Sequence, residues 1–116
     1  MERGELNDAE WAVLGPLLPP ERTKGRPAFD NRRVLNGIFW VIRTGAPWRD
    51  LPERYGRWHS VYTRFARWSR GGVFDRVLTR LGHVDDKASL IQLLDGTVVR
   101  AHQHAAGAKG GSRIRP

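Results

Sequence analysis

The 116-residue sequence contains no cysteine. That excludes a disulfide scaffold and any thiolate metal site, and it fits a reducing, cytoplasmic setting. Long apolar runs are missing as well. The longest, Ile38 to Ile42, falls far short of the roughly 20 residues a membrane-spanning helix needs. The opening MERGELND is acidic and polar, unlike the basic and then apolar start of a secretory signal.

What the chain has instead is positive charge, and it is unevenly placed. Residues 1–20 carry one arginine against four acids, residues 21–70 twelve Lys or Arg against four, and residues 71–116 seven against four, for a net charge of +8. A basic centre favours a polyanionic partner through counterion release. A membrane surface fits less well, because the basic helix described next is short and has no lipid-deep aliphatic face.

The centre of the chain is PWRDLPERYGRWHSVYTRFARWSRGGVF, residues 47–74. Within it, Ser60 to Arg70 has helical periodicity. At about 100° per residue, with Arg64 at zero, Trp68, Val61, Phe65 and Tyr62 fall between roughly 40° and 160°, and Arg67, Thr63 and Arg70 between roughly 240° and 300°. Ser60 is the expected N-cap and Gly71-Gly72 the expected stop. An aromatic face that docks on other helices, opposite arginines that reach phosphates or guanine edges, suits a helix lying in the major groove. A merely solvated basic face is the competing reading.

In chain order, Asn7 and Glu10 have capping-box spacing, with Leu6 and Trp11 at the positions of a hydrophobic staple. A first helix follows, with Trp11, Leu14 and Leu18 on its apolar face; Pro16 kinks or ends it and Pro19-Pro20 stops it. Residues 21–30 form a basic loop in which Arg22, Lys24 and Arg26 make either a DNA-backbone arm or incidental linker charge. Val34, Leu35, Ile38, Phe39 and Ile42 predict a second helix over Asn31–Thr44, closed by Gly45 and Pro47. Residues 48–57 read as a turn-rich connection whose Trp48 and flanking Trp58 are core residues before they are base-stacking platforms. Phe74, Val77, Leu78 and Leu81 predict a fourth helix ending at Gly82. The second and third helices make a loosely connected helix-turn-helix, with a connection much longer than that motif's tight turn.

The period then changes. Leu90–Leu94 followed by Asp95, Gly96 and the β-branched Thr97, Val98 and Val99 reads as a strand with an acid at its far end. Such an acid either opens a turn or joins other carboxylates around a divalent cation. His102 and His104 could lie on one side of a strand, but two histidines without a third ligand make a weak metal site. The closing AAGAKGGSRIRP reads as disordered.

Together LNDAEW, the LLPP stop, GRPAFDNRRVLNGIFWVIRTGAPWRDLPERYG, Trp58 and Trp68 ten apart, GGVFDRVL and LLDGTVVRAHQHAAGAKGG resemble bacterial insertion-sequence transposases of the DDE type, in the group that includes the insertion-element-five transposases. The resemblance implies a helical domain over residues 1–84 that binds the element's terminal inverted repeats, then the truncated start of a ribonuclease-H-like catalytic domain over 85–116. The fold class it implies is mainly α, with the first strand of the incomplete catalytic domain at the end. The basic stripe and loop then supply the expected DNA-binding residues, Arg57, Arg64, Arg67 and Arg70 with Arg22, Lys24 and Arg26, and by motif the resemblance makes Asp95 the first acid of the triad. The family's complete enzymes hold two Mg²⁺ ions on that triad. Here no Asp or Glu follows Asp95, so no stable Mg²⁺ binding is expected of this chain, and it looks like an upstream frame product or a frameshifted remnant. The expected partners are double-stranded DNA, a second copy or full-length transposase. The competing functions are a truncated regulator that inhibits full-length transposase, a helical protein-interaction module and a complete small metalloenzyme, the last disfavoured by the missing acids.

Overall fold

The computed structural model describes residues 5–20, 30–81 and 88–110, and all statements below concern those residues. Every regular element among them is helical. Helix α1 spans Asp8–Leu14 and passes into a single 3-10 turn at Gly15–Leu17; α2 spans Asn31–Thr44. Two further 3-10 turns, Trp48–Asp50 and Glu53–Tyr55, lead to α3 at Trp58–Arg70, α4 at Val73–Leu81 and α5 at Ala88–Gly110.

The capping box forms as its residues predict. Glu10 N–H donates to Asn7 Oδ1 at 2.8 Å, and Asn7 N–H donates to Glu10 Oε1 at 3.0 Å. Regular α-helical bonding stops at Leu14 because the Pro16 ring clashes with the carbonyl four residues back, so the chain tightens into the 3-10 turn. Helix α2 has the bounds its periodicity predicts. Asp30 caps it by accepting from Arg32 N–H at 3.0 Å, and Gly45 closes it in the left-handed region at φ 72°.

Helix α3 starts earlier than predicted. Its N-cap is Arg57, which makes no side-chain capping bond, and Ser60 lies inside the first turn. Gly56, at φ 106°, turns the chain and leaves Arg57 extended, so the helix begins at Trp58. Gly71 ends it as predicted, and Gly72 at φ 70° turns the chain into α4. The predicted end of α4 at Gly82 lies outside the described residues.

The core is a set of aromatic and aliphatic side chains shared by all five helices. Phe39, Phe65 and Phe74 are fully buried among Leu14, Leu35, Ile38, Val61, Val77, Leu81 and Leu94. Trp48 packs its ring 5.0 Å from Phe65, and Trp68 meets Phe74 edge-on at 5.9 Å. Trp48 and Trp58 are thus core-flanking residues, as the sequence suggests.

The predicted strand at Leu90–Leu94 is not a strand. Those residues belong to the 23-residue α5, and Ala105–Gly110, predicted as disordered, continue the same helix; residues 111–116 lie outside the described set. The buried positions Leu90, Leu94, Thr97 and Ala101 recur every three or four residues, which fits a helix packed on neighbours and not a strand. The Thr97 hydroxyl donates to the Leu93 carbonyl at 2.8 Å, which satisfies it inside the helix. Gly96 lets α5 approach α2 closely, since a Cβ there would lie 3.3 Å from Ile42 Cγ2. Helix α5 packs on α2, α3 and α4, and this burial outweighs the β preference of Val98 and Val99.

Candidate nucleic-acid interface

Helix α3 is amphipathic in the sense its spacing predicts. Val61, Phe65 and Trp68 are buried, whereas His59, Thr63, Arg67 and Arg70 are exposed at intervals of three or four residues, so they share one face. Arg57 is exposed just ahead of the first turn. No Asp or Glu occurs between Arg57 and Arg70, so nothing on this helix neutralises the face.

Arg64 differs from the other three predicted α3 contacts. It is half-buried, its Nη1 donates to Asn31 Oδ1 at 2.7 Å, and its guanidinium lies 5.7 Å from the Trp68 ring centroid. The predicted arm residues Arg22, Lys24 and Arg26 lie outside the described residues.

A cleft adjoins each end of α3. The one at its C-terminal end has a volume of about 300 Å³ and is lined by Pro19, Pro20, Asn31, Arg64, Arg67 and Arg76, among others. Arg76, from α4, donates from Nη1 to the Gly71 carbonyl at 2.8 Å. The cleft at the N-terminal end is larger, about 920 Å³, and Arg33, Arg49, Glu53, Arg57, Trp58 and His59 contribute to it. Arg49 stacks over Trp58 at 5.2 Å, and Arg33 Nε donates to the Arg54 carbonyl at 2.9 Å. Sequence reasoning missed Arg33, Arg49 and Arg76. Their charge was visible, but the folds of chain that bring them beside α3 carry no local signal.

Where α5 crosses α3, His104 sits between the edges of Tyr62 and Phe65, at 5.7 and 5.6 Å. Burial, reinforced by the positive charge of Arg70, holds its pKa below the ordinary histidine value. His102 Nε2 lies 2.9 and 3.0 Å from the two Asp75 carboxylate oxygens and ties α5 to α4. Asp95 is exposed on the outer side of α5. Among the described residues no three His, Cys, Asp or Glu side chains gather as a metal site would require. No helix among them is long and apolar enough to cross a membrane.

Residues 6–78, from the residue before the capping box into α4, match the family described as "Putative transposase of IS4/5 family". The chain belongs to the IS4/5 transposase family. Two relatives extend the match beyond that stretch. "Uncharacterized protein y4sN" of Sinorhizobium fredii (strain NBRC 101917 / NGR234) is 42% identical over 120 residues, covering 99% of this chain and 94% of that protein. "Insertion element IS402 uncharacterized 16.2 kDa protein" of Burkholderia cepacia is 34% identical over 112 residues, covering 87% of this chain and 76% of that protein. No solved structure matches this transposase-family chain. The family stretch contains the whole of α3 and both clefts, so the basic face belongs to the part that the family shares.

Proposed function

We propose that this transposase-family chain binds duplex DNA at the terminal inverted repeats of an insertion element, with α3 as the recognition helix. The observation that carries the reading is the face of α3: arginines exposed on a helix without a carboxylate, seated on a buried aromatic side. The insertion-element name of the Burkholderia relative supports the same direction. In this reading α2 and α3 act as a helix-turn-helix-like pair whose connection is lengthened by the two 3-10 turns. Arg57, Arg67 and Arg70 approach the DNA, Arg64 props the helix, and Arg22, Lys24 and Arg26 act as a backbone arm.

We assign residues 1–84 to DNA binding and 85–116 to the family's catalytic sequence, a division that rests on the family resemblance and not on the fold, in which α5 shares the core of the other helices. The role of Asp95 as the first acid rests on the same ground, through LLDGTVVRAH. Two-metal phosphoryl transfer needs several carboxylates around the scissile phosphate, so in this reading Asp95 is one member of a larger set. Its partners are duplex DNA and, in an assembly, a second copy or full-length transposase.

An electrophoretic shift with the ends of the insertion element that encodes the chain tests the proposal. Retention of the end duplex at much lower protein concentration than a scrambled duplex, with no nicking in Mg²⁺, is the expected result. Equal affinity for both duplexes, or salt-insensitive capture of a protein in place of DNA, would overturn it.

A further inference from the structure

The two clefts beside α3 share a chemistry. Each gathers arginines from separate segments of chain, and in each some guanidiniums are already held in place. At the C-terminal end Arg67 comes from α3 and Arg76 from α4, and among the described lining residues there is no carboxylate. Arg76 is fixed by its bond to the Gly71 carbonyl. At the N-terminal end Arg49 is fixed by stacking on Trp58, and Arg33 by its bond to the Arg54 carbonyl; among the described lining residues Glu53 is the one acid. Like charges gathered at a concave surface repel one another in the free protein, and an anion placed between them relieves that repulsion. Guanidiniums that are already held lose less rotamer freedom when they meet a phosphate, and their planar forks suit its oxygens.

The spacing decides which anion. From Arg57 to Arg70 the rise of α3 is roughly 20 Å, at 1.5 Å per residue. The major groove is about 12 Å wide. A helix of this length set obliquely in the groove reaches from one phosphate wall to the other while its middle stays inside.

We propose that the two clefts seat backbone phosphates of a DNA duplex, one on each strand flanking the groove, and thereby set the register of α3 without reading sequence. Arg49 holds the phosphate at the N-terminal end of α3 and Arg76, with Arg67, the one at the C-terminal end. The proposal rests on the DNA-binding reading above and divides the labour within it. Cleft arginines position the protein, and Thr63, midway along the exposed face, is left to meet base edges.

The test uses the full chain, the element-end duplex and a scrambled duplex, with affinity measured from 50 to 200 mM salt for the wild type, Arg49→Gln and Arg76→Gln. Each substitution should lower the log–log salt slope by about 0.9, so the affinity lost across that range shrinks about 3.5-fold per variant. End and scrambled duplexes should weaken by the same factor, leaving their ratio unchanged. A neutral methylphosphonate at the seated phosphate should weaken the wild type and leave the matching variant unaffected. Should Arg76→Gln fail to fold, Arg67→Gln in the same cleft reports on the same phosphate. Folded variants with an unchanged slope, or a collapsed end-to-scrambled ratio at constant slope, would overturn the two-seat assignment while leaving DNA binding intact. A wild type that binds neither duplex would instead overturn the DNA-binding reading and this assignment with it.

Discussion

Arg64 donates to Asn31 Oδ1 at 2.7 Å, and Asn31 Nδ2 in turn donates to the Pro19 carbonyl at 2.8 Å. One asparagine thus ties the middle of α3 to the start of α2 and to the proline segment that follows α1. An arginine that the sequence places among the DNA contacts is first of all a cross-link within the fold. Removing a charged partner from a largely buried asparagine costs about 1.5–3 kcal/mol. Arg64→Ala should therefore lower stability by that order in urea denaturation, whereas Arg67→Ala, on the exposed side, should stay within about 0.5 kcal/mol. Equal stability of the two variants would show that the Arg64–Asn31 link carries no weight.

Two helical glycines should respond in opposite ways to alanine. At Gly37, in the middle of α2, a Cβ would lie 3.1 Å from Tyr55 Cβ and 3.4 Å from Val61 Cγ1, where neither neighbour has a flexible end to move aside. Overpacking costs about 1–3 kcal/mol and outweighs the helix-propensity gain of up to about 1 kcal/mol. At Gly107, in α5, a Cβ meets nothing within 4 Å. Thermal melts should show Gly37→Ala destabilised and Gly107→Ala stabilised by about 0.5–1 kcal/mol. A stabilised Gly37→Ala would mean the α2–α3 contact is looser than described.

His104 gives the fold a pH dependence of definite sign. Its folded pKa is lowered, by burial first and then by the Arg70 charge, while the unfolded side chain titrates near the ordinary value of about 6.5. The unfolded state therefore binds the proton more readily. This contribution to stability is complete above about pH 6.5 and is lost as pH falls from there through the folded pKa. Urea midpoints at pH 7.5 and 5.5 should differ more in the wild type than in His104→Leu. The same difference in both proteins would remove His104 as the cause.

The segment from residue 88 to 104 separates what the sequence shows from what packing decides. Helix α2 was legible because a 3.6-residue apolar period and the Gly45 and Pro47 stop agree on the bounds, to which the structure adds the Asp30 cap. The face of α3 was legible for the same reason, although its start was not: Ser60 is a good cap by type, but the turn at Gly56 puts the cap three residues earlier, at Arg57. In α5 the local signals point to a strand, because Leu93-Leu94 followed by Thr97-Val98-Val99 reads as β. The spacing of Leu90, Leu94, Thr97 and Ala101 becomes meaningful only beside α2, α3 and α4, which that stretch cannot reveal. Likewise no local spacing brings Arg33 and Arg49, or Arg67 and Arg76, to shared clefts. Hydrogen exchange checks the helix directly: the Leu94, Thr97 and Ala101 amides should be protected about as strongly as those of Ile38 and Phe39 in α2. Fast exchange at all three would contradict a packed α5.

In the DNA-binding reading the exposed arginines of α3 meet backbone phosphates, and the salt dependence of duplex binding measures that contact. Arg67 and Arg70 on α3 and Arg57 at its N-cap are exposed, so a folded triple alanine variant isolates their contribution. If each neutralises one phosphate, the log–log salt slope of the variant should fall by about 2.7 from that of the wild type. A folded triple variant that keeps both the wild-type affinity and the wild-type slope would take these arginines out of the DNA interface.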